Sequence, residues 1–348
     1  MPKCDEILDN YYKSVINYNY LELERRFAMN LKDLKVVFMG TPEFSLNVLK
    51  MLINNTNVIG VVTQPDKIVG KGKEKSYPPV KELALKYDIP ILQPEKIRKE
   101  YASVLNLEPD MIVTCAYGQI IPSSILDYPK FGCINVHASL LPKLRGGSPL
   151  HHAIIDGYNE TGVTIMYMDK GMDTGDIISS EKIAIKDDDT VGSIHDKLSV
   201  IGSTLLLQTL PSILDGTRKR IKQDDSQATY CHNITHEEEL IDFQKNVRDI
   251  FNMVRGMNPY PVSYFTLNNQ IYKVYEVSYE ETSKYHDKAC GEIVIQNKKI
   301  GIRAGNGIIY LEDIKREGKR RMKIMDFLNG EKENLIGLIC NRGHDEER

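Results

Sequence analysis

Between Leu34 and His137, short β-branched runs alternate with amphipathic stretches of helical length, and this alternation constrains the fold more than any other feature of the chain. It predicts strands at 35–39, 58–62, 89–92, 110–115 and 133–137, with helices from about 43 to 53 and at 80–87. Strands separated by helices are joined by crossovers, so they assemble as βαβ units around a parallel sheet. The turn after the first strand, Met39-Gly-Thr-Pro-Glu43, holds one glycine where a dinucleotide-binding turn needs three. The layout is therefore Rossmann-like, without an expectation of NAD.

The strand at 133–137 reads Cys-Ile-Asn-Val-His. Side chains alternate along a strand, so Asn135 and His137 share one face while Ile134 and Val136 enter the sheet. The strand ends at the turn Ser139-Leu-Leu-Pro142, and in an open α/β sheet ligands collect outside the carboxyl ends of strands. Further on, Gly171-Met-Asp-Thr-Gly175 supplies Asp173. An amide, an imidazole and a carboxylate converging on one point suit acyl transfer: one donates to a carbonyl oxygen, one stabilises the charge it develops, and one orients the imidazole. Alone, Asn-x-His on a strand is more often a satisfied polar pair than a site.

A strand at 162–168 leads into the Asp173 loop, and Ile194, Leu198, Ile201 and Leu205 mark a helix running towards Leu210, which Pro211 stops or bends. Residues 216–227 have a linker composition. Thr235, three residues before Glu238, signals a capping box, and Leu240, Phe243, Val247, Ile250 and Val254 follow at helical spacing up to Gly256 and Pro259. Strand-like runs at 261–267, 271–278, 291–295, 298–303 and 307–312 then suggest a small β-barrel. With 348 residues, two domains are expected.

A net charge of −3 argues against a wholesale nucleic-acid coat. Local basic clusters remain: Lys67, Lys71, Lys73 and Lys75; Arg218, Lys219, Arg220 and Lys222; Lys315, Arg316, Lys319, Arg320, Arg321 and Lys323. Each alone reads as solvated surface, but together they form a candidate track for phosphates. The six cysteines are scattered and are expected to be free thiols in a reducing compartment. No signal peptide and no run of 18 apolar residues is read. His232 and His236 with their neighbouring glutamates read as a solvated helix cap, His151 and His152 as helix-start residues, and Gly70-Lys-Gly-Lys73 does not match a nucleotide phosphate loop.

Asn135-x-His137 followed by Ser139-Leu-Leu-Pro142, then Arg145-Gly146, then Met172-Asp-Thr-Gly175, resembles the signature of the 10-formyltetrahydrofolate-dependent formyltransferases. Val37-Phe-Met-Gly-Thr-Pro-Glu-Phe44, Thr63-Gln-Pro-Asp66 and Gly318-Lys-Arg-Arg-Met322 resemble the methionyl-tRNA formyltransferases among them. The resemblance implies an α/β Rossmann-like formyltransferase domain at 35–215, a basic linker at 216–233 and a small OB-like β-barrel domain at 234–330, flanked by an N-terminal extension, 1–34, and a tail, 331–348. It implies Asn135, His137 and Asp173 as catalytic residues, in preference to the nearby Asp176, and Ser139, Leu140, Leu141 and Pro142 as contacts to the folate co-substrate. Ala116-Tyr-Gly-Gln-Ile-Ile-Pro122 would line the pterin pocket.

The implied reaction moves the formyl group of 10-formyltetrahydrofolate to the α-amine of methionyl initiator tRNA, without a metal, in a cytoplasmic monomer with no membrane partner. The tRNA contacts would be Lys67, Lys71, Lys73, Lys75, Arg218, Lys219, Arg220, Lys319, Arg320 and Arg321, with the loop 64–79 mobile until RNA arrives. Lys71 stands where the family usually carries arginine, and lysine lacks the planar bidentate fork. The alternatives are a formyltransferase for a sugar-nucleotide amine, a glycinamide ribonucleotide transformylase, a formyltetrahydrofolate hydrolase, and a non-catalytic RNA-binding protein.

Overall fold

The structure is a computed structural model that describes residues 31–69, 74–296, 299–330 and 334–341. Residues 1–30 of the expected extension, Lys71 and Lys73 lie outside the described residues. The chain divides into two compact units. The first comprises the described residues up to Arg145 with Gly162–Lys182 and Asp196–Thr229; the second comprises Gly146–Thr161, Ile183–His195 and the described residues from Tyr230 on.

The first unit is built on a seven-stranded sheet. Its strands are β1 (Lys35–Gly40), β2 (Asn57–Val62), β5 (Ile91–Leu92), β6 (Met111–Cys115), β7 (Cys133–His137), β8 (Glu160–Tyr167) and β9 (Ile177–Ala184), in the spatial order β9-β8-β7-β6-β1-β2-β5. From β5 to β7 the neighbours are parallel, and Val36 to Met39 of β1 are wholly buried, as expected for strands covered on both faces. The strand β8, whose direction the sequence left open, runs antiparallel to β7 with Ile134 opposite Tyr167 and His137 opposite Thr164. A strand's side-chain period is the same in both directions, so direction leaves no trace in the pattern.

The helix Val191–Leu214 is long and apolar enough to cross a membrane, yet it is largely buried and packs on this sheet, with Gly202 against Val136 and Val163. It continues through Pro211, because Leu210 and Ile213 are anchored in the core on either side of it. The basic segment 64–79, expected to be an irregular loop, contains a hairpin of β3 (Lys67–Val69) and β4 (Glu74–Ser76), with Ile68 opposite Lys75. Asp66 ties its base, accepting from Lys81 Nζ at 2.7 Å and Gln93 Nε2 at 2.8 Å.

The second unit carries a six-stranded antiparallel sheet of β10 (Tyr264–Leu267), β11 (Gln270–Glu281), β12 (Ile293–Gln296), β13 (Lys299–Ala304), β14 (Gly307–Arg316) and β15 (Met322–Lys323). The register of β11 on β14 shifts around Glu276, and such irregularities curl a sheet, consistent with an OB-like half-barrel. Phe265, Val274, Ile302, Ile309 and Leu311 fill its core together with Val247, Ile250 and Val254 of the helix Val247–Gly256. That helix begins later than its periodicity suggested. Thr235 N does donate to Glu238 Oε2 at 2.8 Å, but the segment caps only a short 3-10 turn. Ile241 and Phe243 are then buried in alternation with exposed neighbours, a strand-like period that happens to coincide with helical spacing. The helix Pro149–Ile155, whose first turn holds His151 and His152, packs on Val247–Gly256 with Gly256 directly against Ile155. Arg255, buried in this unit, donates to Asn252 Oδ1 at 3.0 Å and to the carbonyls of Lys186 and Asp189 at 2.7 and 3.1 Å.

Candidate active site

At the carboxyl end of β7 the Asn135 side-chain oxygen accepts a hydrogen bond from Thr114 Oγ1 on β6 at 2.9 Å. With its oxygen engaged, the Asn135 amide keeps its NH2 group as a donor for which no acceptor is found among the described residues. Two residues on, His137 is buried, with Nε2 at 3.0 Å from the Leu144 carbonyl and Nδ1 at 3.7 Å from Asp173 Oδ2. The first is a hydrogen bond, and the second is an ion-pair distance beyond direct hydrogen bonding. Both ring nitrogens thus face oxygen acceptors, one at hydrogen-bond distance and one at ion-pair distance.

The loop that delivers Asp173 is organised by its own side chains. Asp169 Oδ1 accepts from Gly171 N at 3.0 Å and from Thr174 Oγ1 at 2.7 Å, and Asp173 itself has a positive φ of 54°. Gly175 is required by contact: a Cβ there would lie 1.9 Å from the Tyr167 carbonyl oxygen. Asp176, the competing carboxylate, is paired with Arg220.

The turn expected to touch the folate is mostly internal. Ser139 is fully buried, its hydroxyl donating to the Lys143 carbonyl at 2.7 Å, and Leu141 is buried, its N–H on Thr164 Oγ1 at 3.2 Å. Leu140 and Pro142 are only half-buried and are the members of the set that retain surface. Nearby, the Tyr117 carbonyl accepts from Thr41 Oγ1 and Gln64 Nε2, and the buried Tyr117 hydroxyl has no hydrogen-bond partner among the described residues. Burial, with Glu100 adding to it, pushes that phenol up to about 12.

The expected phosphate contacts among the described residues are all exposed, and Arg218, Arg220 and Arg321 hold structural partners as well. Lys67, Lys75, Lys219, Lys319 and Arg320 are exposed. Arg218 donates to the Ile178 carbonyl at 2.9 Å, and Arg220 is committed to Asp176. Arg321 grips the buried Asp313 at 2.9 and 3.1 Å and lies 4.0 Å over the Tyr275 ring. His232 and His236 are exposed and paired with Glu238 and Glu239, and among the described residues no group of three potential ligands is placed to hold a metal ion.

Sequence reasoning missed Thr114, which fixes the Asn135 amide, and Gln223. Gln223 is buried, and its Nε2 donates to the carbonyls of Asp173 and Gly175 at 2.8 and 2.7 Å. Its Oε1 accepts from Arg145 Nε at 3.1 Å and Nη2 at 2.8 Å. The Arg145-Gly146 pair was visible as part of a motif, but no signal in the linker marked a single glutamine as its partner.

Comparison with known proteins places this site in a family. Residues 34–210 match the formyl transferase family model, and residues 233–332 match the formyl transferase C-terminal domain. The chain is 49% identical over 307 residues to the methionyl-tRNA formyltransferase of Staphylococcus aureus strain MW2, covering 87% of this chain and 98% of that protein. In fold it is similar to the N-formyltransferase from Helicobacter canadensis, solved with folinic acid and dTDP-3-aminofucose, at a TM-score of 0.58 and 17% identity over 80% of this chain and 98% of that one. It is likewise similar to the methionyl-tRNA formyltransferase from Clostridium thermocellum, at a TM-score of 0.51 and 20% identity over 71% of this chain and 94% of that one.

Proposed function

The chain belongs to the formyl transferase family, and from that premise we propose that it transfers the formyl group of 10-formyltetrahydrofolate to the α-amino group of methionyl initiator tRNA. The observation that carries the reading is 49% identity to a methionyl-tRNA formyltransferase over 87% of this chain and 98% of that protein, with family models matched in both halves of the chain. The aminosugar alternative draws only on a shared fold.

The geometry supplies a chemical route. The free amine of the esterified methionine attacks the formyl carbon, and the carbonyl oxygen becomes a tetrahedral oxyanion. The NH2 group of Asn135 donates to that oxygen, and the His137 imidazolium stabilises its charge. Asp173 orients the imidazolium and, through a water molecule, receives the proton lost by the amine. The bond from the formyl carbon to N10 then breaks as the carbonyl re-forms, the proton held by Asp173 passes to N10, and tetrahydrofolate leaves. Leu140 and Pro142 are the turn residues that offer apolar surface to the folate, with Ser139 and Leu141 shaping the turn from within. No metal enters the scheme.

Residues 35–215 would carry the chemistry, and 216–233 and 234–330 would serve the RNA. Of the exposed cations, Lys67, Lys75, Lys219, Lys319 and Arg320 are assigned to phosphates, with Lys71 and Lys73 retained as contacts on sequence grounds. The protein is read as a cytoplasmic monomer with no membrane partner. The test supplies labelled formyl donor with methionyl initiator tRNA, an aminosugar nucleotide, glycinamide ribonucleotide or water. Label on methionyl-tRNA is expected, and label on another acceptor, or release as formate, overturns the assignment.

A further inference from the structure

The antiparallel course of β8 creates a problem that the protein has to solve. Tyr167, where β8 ends, lies opposite Ile134, three residues before His137 and so about 10 Å short of it along β7. The loop 168–176 must therefore double back along the strand for Asp173 to reach the imidazole. Its conformation includes a non-glycine residue at positive φ, so it does not hold this course by local preference alone.

Gln223 stands at the turning point. Its amide gives both N–H donors to the carbonyls of Asp173 and Gly175, on either side of Thr174. An amide could face either way, but Arg145 removes the choice. The Arg145 guanidinium, 1% exposed, takes the Gln223 oxygen in a forked contact, so only the NH2 end can face the loop. Asp225 pairs with the same guanidinium at 2.8 Å. Arg145 also follows directly on Leu144, whose carbonyl accepts from His137 Nε2. One continuous set of contacts therefore fixes the ring through Leu144 and the carboxylate's backbone through Gln223.

We infer that Gln223, held in orientation by Arg145, is a positioning residue that sets the Asp173 carboxylate against His137. This rests on the reading of His137 and Asp173 as the reacting pair. Gln223→Glu keeps the shape and the Arg145 contact but loses the donors; Gln223→Leu loses both. Each is expected to lower kcat for formyl transfer by on the order of 100-fold, as for a small misplacement of a reacting group, while KM for donor and tRNA stays within about threefold. Combined with Asp173→Asn, neither should lower kcat beyond Asp173→Asn alone, because a residue acting through Asp173 has nothing further to lose.

Hydrogen exchange measured on the same proteins is expected to quicken in residues 169–176 and to stay unchanged in β6 and β7. Multiplicative losses in the double variants, or unchanged exchange in the loop, would overturn the inference. If wild type formylates no tRNA, the proposed function fails, and the exchange result still decides whether Gln223 holds the loop. Should Gln223→Leu fail to fold, Gln223→Glu is read by the same measures.

Discussion

Asp176 is bonded to Arg220, Nε to Oδ2, at 2.9 Å, and the same guanidinium lies 4.1 Å above the ring of Tyr167. Of two carboxylates three residues apart, one is thereby consumed in fastening the start of β9, and only Asp173 faces His137. Asp173→Asn and His137→Ala are each expected to lower formyl transfer by on the order of 100-fold or more, with the double variant close to the worse single one. Asp176→Asn, which removes a half-exposed ion pair, should cost less than about tenfold. Single-turnover transfer rates read all four, and a larger loss at Asp176 than at Asp173 would reverse the assignment.

Gly175→Ala is expected to damage the site without touching a polar group. A methyl group 1.9 Å from the Tyr167 carbonyl must displace backbone, at the point where Tyr167 N donates to the Asp176 carbonyl. A loss of about 1–3 kcal/mol in stability, with transfer falling alongside it, follows from overpacking against a rigid neighbour. Gly330→Ala, with no atom of the described residues within 4 Å of the new methyl, is the matched control and should be neutral or slightly stabilising in a denaturant titration.

The hairpin base has a pH dependence of definite sign. Gln93, then Lys81, hold the Asp66 carboxyl below the ordinary carboxylate range by hydrogen bonding to its charged form. A carboxyl lowered on folding contributes its stability above the unfolded value and loses it as pH falls through the folded one. The contacts of Asp66 should thus persist down to about pH 4 and fail only below that. Lys81→Met should move the failure to higher pH. Side-chain NMR titration of Asp66 checks both, and a failure on the alkaline side would contradict the geometry.

Lys67→Glu with Lys75→Glu should weaken tRNA use and flatten its salt dependence, since fewer counterions are released on binding, and leave folate affinity unchanged. Arg321→Ala is expected to differ in kind. Asp313, 6% exposed, would lose a charged partner, so stability should fall by about 1–3 kcal/mol. Transfer measured against tRNA at several salt concentrations, beside thermal unfolding, separates the two. Equal salt slopes for wild type and the lysine pair would remove the hairpin from the RNA contact.

What was legible in the chain followed from local periodicity. The strand Cys133–His137 was read to its last residue because alternation and a proline turn bounded it, and Asp173 was found because a short motif surrounds it. The reversal of β8 was invisible because alternation carries no direction. The helix over 240–254 was placed too early because Ile241 and Phe243 obey a period of two inside a pattern that also fits 3.6. Gln223 was out of reach for another reason: its partners lie 50 and 78 residues away, and nothing in its own neighbourhood distinguishes it from a solvated linker residue.

The second unit is threaded from three separated stretches of chain. Its sheet comes from the last third, but the helix that meets Gly256 and the carbonyls that receive the Arg255 guanidinium are donated from the middle. A gene fragment opening at Tyr230 would strip the helix Val247–Gly256 of that neighbour and deprive a buried cation of its two carbonyl acceptors. The unit cannot be transplanted as a cassette through one splice, and no single proteolytic nick divides the polypeptide into two self-sufficient halves. On the ribosome, both middle stretches emerge before the sheet they serve, and they must wait for it.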